Sequence, residues 1–164
     1  MRTITSSNPN WPLRFDYPEN WEPRELLQEN GASFFLRGPI QPEAKLFPSI
    51  TVEARPGKAG TLPELQRDWT TRRSILRTFR ILTSGDAALA GMKAVQLDIA
   101  YEMPYPLHSR TPQIITVREH VILAREGERI YEICYRTAED DFDEFQGVFD
   151  ALAASFSLET PILT

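Results

Sequence analysis

Cysteine is almost absent from this chain: Cys134 is the single one in 164 residues. It can form no intramolecular disulfide and no cysteine-built zinc cage. Histidine is nearly as scarce. His108 and His120 lie 12 residues apart, one in a proline-rich loop and one in a strand, and neither has a close ligand partner in sequence. A histidine-built metal site is therefore not expected. No apolar run approaches the ~18 residues of a membrane span. The opening MRTITSSNPNWPLRF has neither the apolar stretch nor the small-residue cleavage pattern of a secretory signal, so a cytoplasmic location is the expectation. Positive charge is also in deficit, with 18 Lys and Arg against 23 Asp and Glu, a net charge of −5. A nucleic-acid binder needs the opposite balance. The HExxH, GxSxG and GxGxxG motifs and the P-loop are missing, so no catalytic residue, metal ligand or cofactor is assigned.

What is present suits one core. Hydrophobic residues make up 41% of the chain and charged ones 25%, ordinary values for a globular domain. A single domain over residues 1–164 is expected, with its core at about 13–158 and flexible termini. Nine of the 13 prolines fall before residue 64, which predicts short strands and irregular loops there. Period-2 alternation is clearest in Ser49 to Arg55, Ala94 to Tyr101, Ile115 to Leu123 and Arg129 to Arg136, and weaker in Leu13 to Tyr17 and Ser33 to Arg37. Thr61-Leu62-Pro63-Glu64 reads as a capping box opening a helix, with Leu62, Leu65, Trp69, Leu76 and Phe79 at helical spacing. A second helix begins near Thr137 to Asp141 and carries the stripe Phe142, Phe145, Val148, Phe149, Leu152, Phe156. The predicted class is α+β: about six mostly antiparallel strands flanked by helices, an α/β/α sandwich with one polar sheet face.

The turn at Arg125-Glu126-Gly127 reads as a three-residue loop with a G1 bulge. That pairs Ala124 with Glu128, Val121 with Tyr131 and His120 with Glu132, whereas a two-residue loop is expected to put Val121 opposite Glu132, against the hydrophobic pattern. By parity, Gln96, Asp98, Arg118, His120, Glu132 and Arg136 then share the polar face. The same parity brings Cys134 beside His120, where an inert, packed thiol is the expectation.

Three other features attract notice. Arg67 to Arg80 holds five arginines against Asp68, with Arg73, Arg77 and Arg80 on one side of the helix, most simply a solvated face. The acidic run Glu139 to Glu144 fits a first helical turn better than a calcium loop, because the loop spacing fails. The connection Met103 to Pro112 is long for a hairpin and carries Tyr105, Leu107, His108 and Arg110, residue types suited to docking a partner.

Phe15-Asp16-Tyr17-Pro18-Glu19-Asn20-Trp21 resembles the F-x-Y-P-x-x-W opening of PsbP-like domains. The strand Pro48 to Glu53 and the ending Tyr131 to Tyr135, Phe142, Phe149 and Ser155 to Leu158 fit as well. The superfamily also includes the Ran-binding factor Mog, DcrB-like lipoproteins and Eag-type effector chaperones. The resemblance implies a central antiparallel sheet between helices and a non-enzymatic role, generally in binding another protein. Cys134 cannot serve as an N-terminal lipid anchor, which leans toward the leaderless members.

The leading expectation is a non-catalytic adaptor or chaperone-like domain. It would hold a protein or peptide segment with Tyr105, Leu107, His108 and Arg110 and the polar sheet face. The alternative is a small-molecule binder or unrecognised hydrolase using Asp98, Arg118, His120 and Glu132. Dimerisation through an uncovered strand edge is a further option.

Overall fold

The computed structural model describes residues 1–40, 46–106 and 110–158. The N-terminal segment forms strands β1 (Arg2–Thr5) and β2 (Arg14–Tyr17), which pair with each other. Strands β3 (Glu22–Leu26), β4 (Ala32–Arg37) and β5 (Ser49–Pro56) then build one side of the main sheet. Helix α1 (Leu62–Arg73) crosses over to the far edge. There β6 (Arg80–Leu89), β7 (Met92–Tyr105), β8 (Gln113–Glu126) and β9 (Arg129–Ala138) meander back to the middle, and α2 (Phe142–Ser155) closes the chain. The main sheet has seven strands, all antiparallel, in the order β3-β4-β5-β9-β8-β7-β6.

Both helix starts follow from local chemistry. Thr61 caps α1 by accepting from the Glu64 amide while the Glu64 carboxylate accepts from the Thr61 amide, with proline in the first turn. The acidic run forms a 3₁₀ turn, Glu139–Asp141, that leads into α2. Helix α1 is shorter than its apolar spacing predicts. It ends at Arg73, where the Ser74 hydroxyl bonds back to the Thr71 carbonyl. Leu76 and Phe79 still pack beneath the sheet, but from a turn. Arg77 and Arg80 therefore lie beyond the helix and do not share its face with Arg73.

The expected polar sheet face is replaced by a second core. Helix α2 and the β1–β2 hairpin cover one face around Phe15, Phe34, Ile133, Tyr135 and Phe149. Helix α1 covers the other around Trp69, Leu97, Val117, Val121, Leu123 and Cys134. Strands β7, β8 and β9 are thus buried on both sides, and each alternating apolar set marks only one of them.

The β8–β9 register is also different. Gly127 and Glu128 form a two-residue turn, with Gly127 at φ +61°, and Glu126 pairs with Arg129. A positive φ at the first turn position is the type II′ pattern, whose twist suits a hairpin. Ala124 therefore faces Tyr131, Val121 faces Cys134 and His120 faces Tyr135. The bulged turn predicted from the hydrophobic pattern does not form, because that pattern assigns Glu132 to solvent. It is buried opposite Leu123 and bound to Arg55.

Candidate functional site

The changed register divides the six polar residues between two faces. Gln96, Asp98, Arg118 and His120 lie on the α2 side. Glu132 and Arg136 lie on the α1 side, with Cys134. Cys134 and His120 are on opposite faces and cannot form a nucleophile–base pair. The proposed set Asp98, Arg118, His120 and Glu132 is not brought together either, and the hydrolase reading loses its constellation.

On the α2 side, Asp98 and His120 are cross-strand neighbours, and Arg118 stands one alternation further along. Arg118 Nη2 donates to Asp98 Oδ2 at 2.6 Å, and its guanidinium carbon sits 3.9 Å from the centroid of the Phe142 ring. Asp98 Oδ1 and Arg118 Nε are buried without a partner. His120 lies between two amides. Its Nε2 is 3.1 Å from Gln96 Oε1, and its Nδ1 is 3.5 Å from Gln146 Nε2. That arrangement fits the neutral tautomer with the proton on Nε2. Burial against Phe149 lowers the imidazole pKa, and it outweighs the raising influence of Asp98 and Asp150.

On the α1 side the hub is Glu119, which is 4% exposed and went unnoticed in the sequence. Its Oε1 receives Arg73 Nε and Nη2, each at 3.4 Å, and the Cys134 thiol at 3.2 Å. Arg73 also stacks on Trp69, 4.0 Å from the ring centroid. Arg136 Nε donates to the Tyr101 hydroxyl at 3.1 Å, and Arg55 bridges Glu132 and Glu53 at 3.3 and 3.4 Å. Burial, then Glu119 and Glu132, push the Cys134 thiol well above its ordinary pKa, against Arg73. A thiol so held donates a hydrogen bond and is a poor nucleophile. Among the described residues, no group of three or more His, Cys, Asp or Glu side chains could hold a metal ion.

Leu107 and His108 lie outside the described residues. The ladder of β7 and β8 runs out to Tyr105 and Gln113. Tyr105 is half-buried against the α1-side core and Arg110 is exposed. Sequence reasoning missed what lies beside this arm. Strand β6 is a free edge, exposed along nearly its whole length. Ile81 and Leu82 on it are 47% and 39% exposed, Ile75 in the preceding turn 87%, and Ile114 on β8 48%. Ile81 pairs with Ile99, a residue of the α1-side core, and so lies on that face of the edge, whereas Ile114, paired with Pro104 about 17 Å further along β7, falls by alternation on the α2 face. The Glu102 amide ties the turn to this corner by donating to the Arg77 carbonyl at 2.8 Å.

No protein-family model and no curated protein matches the chain. Solved structures do match it. The cyanobacterial PsbP (CyanoP) of Synechocystis sp. PCC 6803 superposes with a TM-score of 0.61 over 96% of this chain and 92% of that one, at 16% identity. The chain has the PsbP-like fold. LpqN, involved in cell envelope biogenesis of Mycobacterium tuberculosis, is similar at a TM-score of 0.62 over 97% and 91% of the two chains, with 14% identity. The Ran-binding protein Mog1p of Saccharomyces cerevisiae gives 0.55 over 96% of each chain, with 11% identity. Identities this low carry the fold and leave function to the site. In this chain the motif residues Phe15, Tyr17, Trp21, Phe142, Phe149 and Phe156 are all buried in the α2-side core. The motif marks packing, and the exposed corner lies outside it. Among the described residues no helix is long and apolar enough to cross a membrane.

Proposed function

We propose that this chain is a non-catalytic protein-binding domain, an adaptor or chaperone-like module of the cytosol. It receives an extended partner segment along the β6 edge. The observation that supports this reading is the free edge of β6, on which Ile81 and Leu82 are exposed, with Ile75 exposed in the turn before it. Exposed apolar side chains on a free strand edge suit an interaction surface. A free edge offers backbone donors and acceptors to a peptide, and the flanking side chains select it. Tyr105 and Arg110 stand on the arm beside the edge and supply an aromatic wall and a cation.

The test is affinity capture from the native host with three baits: the parent chain, Ile81→Lys with Leu82→Lys, and Tyr105→Ala with Arg110→Ala. Circular dichroism checks each bait for folding. The reading expects a protein retained by the parent and lost from the lysine variant, with weaker retention by the arm variant. Retention indifferent to both pairs of substitutions, or no retained protein at all, overturns it.

A further inference from the structure

A cavity of about 670 Å³ opens between the β1–β2 hairpin and the edge strand β3. That volume lies within the range of small-ligand pockets. Its walls combine three aromatic rings, Tyr17, Trp21 and Phe35, with three arginines, Arg2, Arg24 and Arg37. The rings are held in place. Trp21 is 2% exposed and packs edge to face on Phe145, 6.0 Å between centroids. A Cβ at Gly38 would stand 2.8 Å from Trp21 Cζ2 and 2.7 Å from Pro48 Cγ, so the bare glycine lets the indole lie against the backbone there.

The arginines are not equivalent. Arg2 pairs with Glu19 at 3.7 Å, and Arg37 with Glu22 at 2.6 Å. The neighbouring Glu25 is engaged on the other side by Ser7, through its amide and hydroxyl. Arg24 is exposed, lies across the strand pair from Phe35, and has no carboxylate partner among the described residues. Three arginines against two glutamates leave one unit of positive charge. That favours a monoanion over a polyphosphate, which would meet both glutamates.

We infer that this cavity is a binding site for a flat aromatic molecule bearing one carboxylate. Phe35, the one ring of the three that is not buried, stacks against its body over the floor formed by Tyr17 and Trp21, and the Arg24 guanidinium opposite it takes the carboxylate in the two-pronged geometry that arginine offers. The carboxylate belongs either to a free aryl acid or to the C-terminus of a peptide ending in an aromatic residue. The site is independent of the β6 corner, since β3 and β6 are opposite edges of the sheet.

The experiment is titration of the ¹⁵N-labelled chain with four probes: indole-3-acetate, N-acetyl-Gly-Trp, the neutral indole-3-acetamide, and ATP. The Trp21 indole and the backbone amides of Arg24 and Phe35 are followed. Saturable shifts are expected with at least one of the two carboxylates, about tenfold weaker with the acetamide, and weaker with ATP. Saturation by N-acetyl-Gly-Trp alone assigns the carboxylate to a peptide C-terminus, and saturation by indole-3-acetate assigns it to a free acid. Arg24→Gln should erase the advantage of carboxylate over amide. Glu22→Gln should tighten carboxylate binding by releasing Arg37. The inference is overturned if neither carboxylate saturates these signals below ~10 mM, if the acetamide or ATP binds equally well, or if Arg24→Gln leaves the affinities unchanged.

Discussion

Strand β8 sends Arg118 and His120 to one face of the sheet and Glu119, between them, to the other, and the two faces treat these groups differently. On the α1 side the carboxylate comes first: Glu119 is buried and gathers Arg73 from the helix and Cys134 from β9 around one oxygen. On the α2 side the charges stand at the rim of an aromatic core. Arg118 and Asp98 keep 20% and 13% of their side chains exposed, and Phe142 and Phe149 flank the group. A buried polar group is costly to leave unpaired, and the α2 pair leaves Asp98 Oδ1 and Arg118 Nε without partners whereas Glu119 Oε1 takes three donors. The α1 side is therefore stabilised through its pairing and the α2 side through its packing.

The largest effects should come from removing each helix's anchor. Phe149 and Trp69 are both fully buried, and truncation of either to alanine should cost about 3–5 kcal/mol in urea unfolding. A loss below ~1 kcal/mol at either site would mean that its helix does not hold that face. Next come the carboxylates. Glu119→Ala leaves the Arg73 charge half-buried and unpaired and should cost about 3–5 kcal/mol. Asp98→Ala should cost about 1–3 kcal/mol, because it also removes the buried, unpartnered Oδ1 while Arg118 keeps its stacking on Phe142. Equal losses would remove the distinction between the faces.

A smaller effect should appear in thiol chemistry. Native Cys134 should resist a disulfide reagent at pH 8 and react fully once unfolded, and Glu119→Gln should raise the native rate by lowering the thiol pKa. The linkage has a definite sign. A thiol pKa raised on folding gives stability that is fully present below the ordinary value of 9.0 and is lost as pH rises from there toward the folded value. The smallest effect concerns His120. Its folded pKa is lowered from 6.5, so stability present above that pH is lost as pH falls through the folded value. His120→Gln should flatten the midpoint of urea unfolding between pH 7 and about 5. An unchanged acid slope would show that the imidazole is not held neutral by the α2 side.

Much of the fold was legible because its signals are local. Thr61 and Glu64 announce the start of α1, the Phe142 to Phe156 stripe announces α2, and alternation marks β5, β7, β8 and β9. Strands β1, β3 and β6 were missed. Edge positions such as those of Arg80 to Leu89 face solvent on both sides and carry no alternation. The β6 corner was hidden for the same reason, since Ile81 and Leu82 look like core residues until the strand is known to be an edge. Of the residues expected at a site, Tyr105 is half-buried against the α1-side core and Arg110 is exposed, while Asp98, Arg118 and His120 are engaged with one another and with α2. The arginines around the β3 cavity come from three separate strands, and no spacing in the sequence links Arg2, Arg24 and Arg37.

The sequence by itself determined which segments become strand or helix, because capping, turn preference and side-chain periodicity act within a few residues. Only the tertiary structure decided which face each polar group meets. Side chains alternate with a period of two, so a register set by one hairpin turn, displaced by an odd number of residues, exchanges the faces of a whole strand. The stability of that register depends on Arg55 pairing with Glu132 and Arg73 with Glu119, contacts between residues 77 and 46 positions apart in the chain.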